Sequence, residues 1–184
     1  IEACLVGSEM CIRDRSCSAL VDKLKWPIVL EPMSKFPVNR DLSVDRSRMF
    51  DALKKVQAWV PVDGYHDLGP GERIYPEHQK IAYELSKCMT CGCCVEACPQ
   101  YSQDNNFIGA AAMSQARLFN MHPTGKNLKK ERLDTLMQEG GISSCGNAQN
   151  CVEACPRSIP LTESIAHLGK DVSKQMWSNI FSTK

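Results

Sequence analysis

Seven of the eleven cysteines in this 184-residue chain fall into two runs that share one spacing. The first, "CMTCGCCVEACPQ", places Cys88, Cys91, Cys94 and Cys98 before Pro99 as C-x2-C-x2-C-x3-C-P. In such a run three closely spaced thiolates grip one cubane iron–sulfur cluster, and the fourth cysteine ligates a second cluster. A second run is therefore expected, and "CGNAQNCVEACPR" supplies it as Cys145, Ala148, Cys151 and Cys155 before Pro156. Every interval is kept and one cysteine has become alanine. The crossing rule assigns Cys88, Cys91, Cys94 and Cys155 to a [4Fe–4S] cluster. It leaves Cys98, Cys145 and Cys151 for the other site. With Ala148 at the corner where a fourth thiolate would hold iron, that site is expected to carry [3Fe–4S], the alternative being a labile fourth iron held by water or hydroxide.

Zinc is the plain competitor, because C-x2-C pairs also build structural zinc sites, usually as two separated pairs with four N or S ligands. Three cysteines within seven residues followed by C-x3-C-P do not have that layout. A disulfide framework also fits the cysteine content, but disulfide partners need no local pattern, whereas these intervals are fixed. Cys93 lies between two ligands and is read as a buried thiol lining the site. Pro99 and Pro156 each restrict the preceding cysteine to an extended backbone as the chain leaves a cluster. Val95, Ala97, Val152 and Ala154 are apolar neighbours that would keep water from the sulfurs.

The elements that must carry these runs are legible in outline. Ser16 to Asp45, with Pro27, Pro32 and Pro37, reads as short strands and turns. Asp45 is a plausible N-cap for an amphipathic helix with apolar Met49, Phe50, Leu53, Val56 and Trp59, stopped by Pro61. Glu77 to Leu85 reads as a helix delivering the chain to the first run. Ile108 to Leu118 and Lys129 to Met137 read as helices joined by the "HPTGKN" turn, and Leu161, Ile165 and Leu168 mark another, with Thr162 as its cap or first-turn residue. Ordinary core packing accounts for all these apolar stripes.

The bulk numbers exclude several roles. A net charge of +1 with 23% charged residues and no long run of like charge gives no surface for nucleic acid or anionic lipid, so partners are expected to be proteins. No stretch approaches the roughly 20 apolar residues that span a bilayer, and the start has no positively charged n-region followed by an apolar stretch, so export is not expected. His66, His78, His122 and His167 are scattered, no nucleophile stands beside a base, and no glycine loop cradles phosphate. Bond-making chemistry is assigned to a partner.

From Ser16 to Lys184 the chain resembles the iron–sulfur subunit of succinate dehydrogenase and fumarate reductase, most closely the form of Gram-positive and related bacteria. The stretches that carry the resemblance are "EPMSKFPVNRDLSVDRSRMFDALKKVQAWVPVDG", "YELSKCMTCGCCVEACPQ", "FIGAAAMSQARLFNMHPTG" and "CGNAQNCVEACPRSIPLTESI". The resemblance implies an α+β fold: a β-grasp plant-type ferredoxin domain, of which 16–45 is the carboxyl-terminal part, then a mostly α-helical two-cluster ferredoxin domain over 46–184. It implies a flavoprotein (FAD) partner where succinate is oxidised, a cytochrome b-type membrane anchor, and a peripheral place on the cytoplasmic face of the bacterial cell membrane. Electrons would pass from flavin through [2Fe–2S], [4Fe–4S] and [3Fe–4S] to quinone, as a step of the tricarboxylic acid cycle. Fumarate reductase would use the same relay in reverse. Heterodisulfide reductase-like and glycolate oxidase-like subunits share the helical domain, but "EPMSKFPVNRDL" argues against them.

The sequence departs from the family pattern in two places. "SCSALVD" matches the region of the last [2Fe–2S] ligand, making Cys17 an orphan ligand, because Cys4 and Cys11 do not stand in the C-x4-C-x2-C register expected before it. Ile1 to Arg15 match nothing in the family, are read as non-native sequence ahead of a truncated first domain, and leave [2Fe–2S] out of this chain. Gly146 and Gln103 stand where ubiquinone-reducing relatives carry histidine and tryptophan, which favours menaquinone or a differently placed pocket. Pro99, Gly146 and Ala148 are the candidates for quinone proximity.

Overall fold

The computed structural model describes residues 3–6, 11–12, 20–23, 26–61 and 72–182. Its architecture is mixed: two small antiparallel sheets followed by seven helices among the described residues. Strand β1 (Ala3–Val6) lies between β2 (Cys11–Ile12) and β3 (Val29–Pro32), with Leu5 opposite both Ile12 and Leu30. The expectation of non-native sequence thus falls partly on two short strands, of which β1 pairs with β3 and β2 with β1. Strands β4 (Val38–Arg40) and β5 (Ser43–Val44) form a hairpin whose turn places Asp41 in the left-handed region at φ 52°, a conformation that Asp tolerates better than most residues. Proline ends β3 and precedes β4, as the residue types require.

The helices hold the core. Helix α4 (Gly109–Met121) is its axis: Gly109, the three alanines Ala110 to Ala112, Met113, Ser114, Ala116 and Arg117 are all buried. A helix buried on nearly every side must be lined with small residues if neighbours are to approach closely, and "GAAAMSQA" is such a run. Around it pack α1 (Ser47–Lys55), α2 (Pro76–Ser86), the single-turn α3 (Cys93–Glu96) and α7 (Leu161–Ser182). Gly109 opens α4 at φ +82°, and a Cβ there would stand 2.4 Å from Val95 Cγ1, so both backbone angle and space demand glycine. Helices α5 (Lys129–Met137) and α6 (Asn150–Glu153) complete the set, with α5 against α7 and α6 against α3.

Most expected helices stand where their periodicity puts them, with two differences. Helix α7 runs 22 residues, far past Leu168, and its last turns expose Met176, Trp177, Ile180 and Phe181. Helix α1 stops at Lys55, well short of Trp59. Its end is a Schellman turn: Gln57 adopts φ 47°, its N–H donates to the Lys54 carbonyl at 2.9 Å, and the Ala58 N–H donates to the Leu53 carbonyl at 3.0 Å. At the other end the N-cap is Arg46 and not the expected Asp45, whose carboxylate, one residue earlier, accepts the Ser47 N–H at 2.8 Å.

Arg132 explains why the chain turns there. Its side chain is fully buried and donates to the Gln57 carbonyl (3.0 Å), the Trp59 carbonyl (2.9 Å), the Gly125 carbonyl (2.6 Å) and Asn120 Oδ1 (3.1 Å). A guanidinium is the one side chain with enough donors in a rigid fork to do this. It ties the end of α1 to the turn between α4 and α5, and burial lowers its pKa from the usual arginine range. Replacing it with methionine keeps the bulk and leaves these acceptors without donors. Arg132→Met is expected to destabilise the chain by about 2–4 kcal/mol, with Arg132→Lys intermediate, read as the shift in urea midpoint.

Candidate functional site

The two cysteine runs adopt the same backbone. In the first, Thr90 sits at φ 52° and Gly92 at φ 89° before α3; in the second, Asn147 sits at φ 52° and Gln149 at φ 64° before α6. Val95 and Val152 donate to the carbonyls of Gly92 and Gln149 at 3.0 and 2.9 Å, and Cys98 and Cys155 donate to those of Val95 and Val152 at 3.2 Å each. These left-handed residues wrap the loop tightly, so that the cysteines of each run turn inward while the helical turn carries the third cysteine beneath them. Ala148 occupies the place in the second loop that Cys91 holds in the first.

Two chambers result. One, with a cavity volume of about 20 Å³, is lined by Cys88, Cys91, Cys94 and Cys155, with Ala111 and Leu161 among its walls. The other, also of about 20 Å³, is lined by Cys98, Cys145 and Cys151, with Ala148, Ala110 and Ile165 among its walls. Each run thus places its fourth cysteine in the chamber of the other. The structure brings Pro99, Gly146 and Ala148 together in the wall of the second chamber, where 146–150 are exposed. Cys17 lies outside the described residues. Cys93 is fully buried but lines neither chamber, which corrects the expectation that it borders the site. The cysteines from Cys88 to Cys155 are all free of disulfides.

The thiols lie in apolar surroundings that oppose charge. Burial pushes the Cys94 thiol strongly up, and its neighbours Cys88, Cys91 and Cys155 push it further. Cys88 is raised by burial, against hydrogen bonds from the Thr90 backbone and the Gln115 side chain. Cys151 is raised by burial, then by Cys98 and Cys145. Thiolates in such a place need a cation to compensate them, and binding iron must displace the protons. Among the described residues no three His, Cys, Asp or Glu groups converge closely enough to share a single ion. Four thiols around one chamber and three around the other are donor sets of the kind that hold iron–sulfur clusters.

Several contributors were not legible as site residues. Ala110 and Ala111 are neighbours on α4 that face different chambers, and their small side chains leave the room. Gln115 reaches a cluster cysteine from the next turn of that helix. Arg48 on α1 donates to the carbonyls of Ser102, Asn105 and Phe107 and lies 4.3 Å from the Tyr101 ring centroid, fixing the chain beyond Pro99. The run of small residues in α4 was the only available signal for any of these.

A mixed fold whose repeated cysteine runs cross between two chambers defines a dicluster iron–sulfur protein. Residues 84–159 match the model of a 4Fe-4S dicluster domain. The chain is 59% identical over 169 residues to the succinate dehydrogenase iron-sulfur subunit of Bacillus subtilis, covering 92% of this chain and 67% of that one. It is 31% identical over 143 residues to the fumarate reductase iron-sulfur subunit of Wolinella succinogenes, covering 77% and 60%. The chain spans between about half and two thirds of the length of these and similar curated relatives. A structure of the Mycobacterium smegmatis Sdh1 complex in the apo form shares the fold, with a TM-score of 0.72 over 95% of this chain and 72% of that one, at 23% identity. The chain belongs to the family of succinate dehydrogenase and fumarate reductase iron–sulfur subunits.

Filling one chamber tests the site. Ala111→Leu places a larger side chain in the first chamber, and such overpacking typically costs about 1–3 kcal/mol. We expect iron and acid-labile sulfide content to fall by about half, with the signal of the cluster in that chamber lost and the signal of the other site kept, while the helical circular dichroism is unchanged.

Proposed function

We propose that this chain is the electron-relay subunit of a succinate dehydrogenase, taking electrons from a flavoprotein that oxidises succinate and passing them to membrane quinone. Clusters held in the two chambers supply one-electron exchange; the chain's own part is to hold, separate and shield them. Cys88, Cys91, Cys94 and Cys155 would ligate [4Fe–4S], and Cys98, Cys145 and Cys151 would ligate [3Fe–4S]. The observation that carries this reading is Ala148, standing in a loop of the same backbone as its partner run, at the place where Cys91 stands.

The exposed wall at 146–150 supports the second chamber as the exit, with Pro99, Gly146 and Ala148 nearest an incoming quinone, menaquinone being favoured by Gly146 and Gln103. Cys17 is assigned to a [2Fe–2S] set whose other members do not stand in register in this sequence. Residues 16–45 are read as the carboxyl-terminal part of a β-grasp domain, and 46–184 as the helical domain. Among the described residues no helix is long and apolar enough to cross a membrane. We therefore place the chain peripherally, on the cytoplasmic face, between the flavoprotein and a cytochrome b-type anchor. The identity of 59% to a dehydrogenase subunit against 31% to a fumarate reductase subunit favours succinate oxidation as the direction.

Two outcomes test the cluster assignment. Anaerobically prepared, cluster-loaded protein should show a three-iron electron paramagnetic resonance signal when oxidised that disappears on reduction; its absence at full iron occupancy would overturn the assignment, and zinc without iron or sulfide would end the cluster reading altogether. Ala148→Cys restores the missing ligand, and the three-iron signal should give way to a second four-iron cluster of lower potential. Persistence of the three-iron signal at full strength in that variant would show that the two runs are wrongly superposed.

A further inference from the structure

The two cysteine runs share the sequence "CVEACP", yet their glutamates differ: Glu96 is buried, at 3% exposure, and Glu153 is exposed. The cause is a turn from the strand-bearing segment that lies on the first run only. The Glu96 carboxylate accepts the Ser34 N–H at 2.9 Å, the Ser34 hydroxyl at 2.5 Å and the Lys35 N–H at 3.1 Å. On either side Met33 and Phe36 are buried, and a Cβ on Gly92 would lie 3.4 Å from each of their side chains. The turn is thereby fixed at both flanks and along its backbone. From this anchored position the Lys35 ammonium donates to the backbone carbonyl of Cys98. At the matching carbonyl of Cys155 the described donor is a neutral one, the Ser158 N–H at 3.0 Å.

We propose that Lys35 is a positioning residue of the electron relay, whose ammonium on the Cys98 carbonyl raises the midpoint potential of the cluster held by Cys98, Cys145 and Cys151. The proposal rests on the ligand assignment given above. When that cluster takes up one electron, delivered from succinate through the flavin, no bond forms or breaks, and the cluster with its thiolates gains one unit of negative charge. A cation fixed on the main chain of one ligand favours the reduced form, and it does so more strongly in a half-buried place than in water. Charge and hydrogen bonding near the sulfurs are among the factors that set cluster potentials. Glu96 carries the opposite sign, but it is engaged by three donors and acts as the clamp that holds the lysine in register. The result is a one-sided bias: of the two fourth cysteines, the one serving the three-iron site carries the cation.

The test is a redox titration of both clusters in the same cluster-loaded preparation, followed by electron paramagnetic resonance, for wild type, Lys35→Gln, Lys35→Arg and Ser34→Ala. Lys35→Gln should lower the three-iron midpoint, raising the oxidised-to-reduced ratio at fixed potential by roughly three- to tenfold, where tenfold is about 59 mV for a one-electron couple. The four-iron midpoint should move less. Lys35→Arg, which keeps the charge, should stay near wild type, and Ser34→Ala, which loosens the clamp but keeps the ammonium, should lower the three-iron midpoint by less than Lys35→Gln does. Equal shifts of the two clusters, no shift at intact three-iron spin count, or an equal shift in Ser34→Ala would overturn the proposal. So would loss of the three-iron cluster in Lys35→Gln alone, which would make the lysine a structural prop. If the wild type itself gives no three-iron signal at full iron occupancy, the ligand assignment fails, and the proposal with it.

Discussion

The crossing of the two fourth cysteines is the constraint on which the rest of the molecule depends. Cys98 leaves the first run to line the chamber of the second, and Cys155 does the converse. Neither chamber is complete until residues more than fifty positions apart in the chain have met. The two loops must therefore lie back to back, and whatever separates them must be thin. Helix α4 meets that need with alanines, Ala110 toward one chamber and Ala111 toward the other. Leu161 closes the first chamber, Ile165 the second, and both come from the first turns of α7, the helix that follows the second run.

A fold arranged around such chambers cannot reach full packing density from side chains alone. Cys94 and Cys151 are the buried thiols of their chambers, and burial raises both, so iron must displace their protons to bind. Cluster binding would therefore release protons and draw the two runs together. Arg132 holds the chain leaving α1, Arg48 holds the loop beyond Pro99, and Glu96 holds the turn at Ser34 and Lys35. Each supplies several hydrogen bonds to backbone groups that no regular element could satisfy.

Much of the site was legible because its chemistry is local. Thiolates that grip one cluster must be near one another in sequence, so spacing reveals them, and a repeat exposes its own defect at Ala148. The helices were legible where amphipathic period met a loop or proline, as in α2 and α5. What was hidden depends on distant partners. Leu53, Val56 and Trp59 continue a helical stripe, yet α1 ends at Lys55 because Arg132, far along the chain, draws in the carbonyls of Gln57 and Trp59. Cys93 lies between two ligands in sequence but faces the core from its helical turn. Nothing in "CVEACP" separates Glu96 from Glu153, because the difference comes from a turn some sixty residues earlier.

That last asymmetry bears on how a symmetric repeat becomes a directional relay. Two identical cluster loops would hold two similar clusters, and an electron would have little reason to prefer one. The repeat here is broken twice, once in a ligand and once in its surroundings. Ala148 removes a candidate ligand from the second site. The turn at Lys35 adds a cation to a ligand of that same site while its counter-charge is fixed by three hydrogen bonds. On the reading proposed above, the lysine favours the reduced state at the end of the molecule whose wall at 146–150 is exposed. Direction then follows from where charge is placed along an otherwise repeated scaffold, and the strand-bearing segment takes part in it by carrying Lys35.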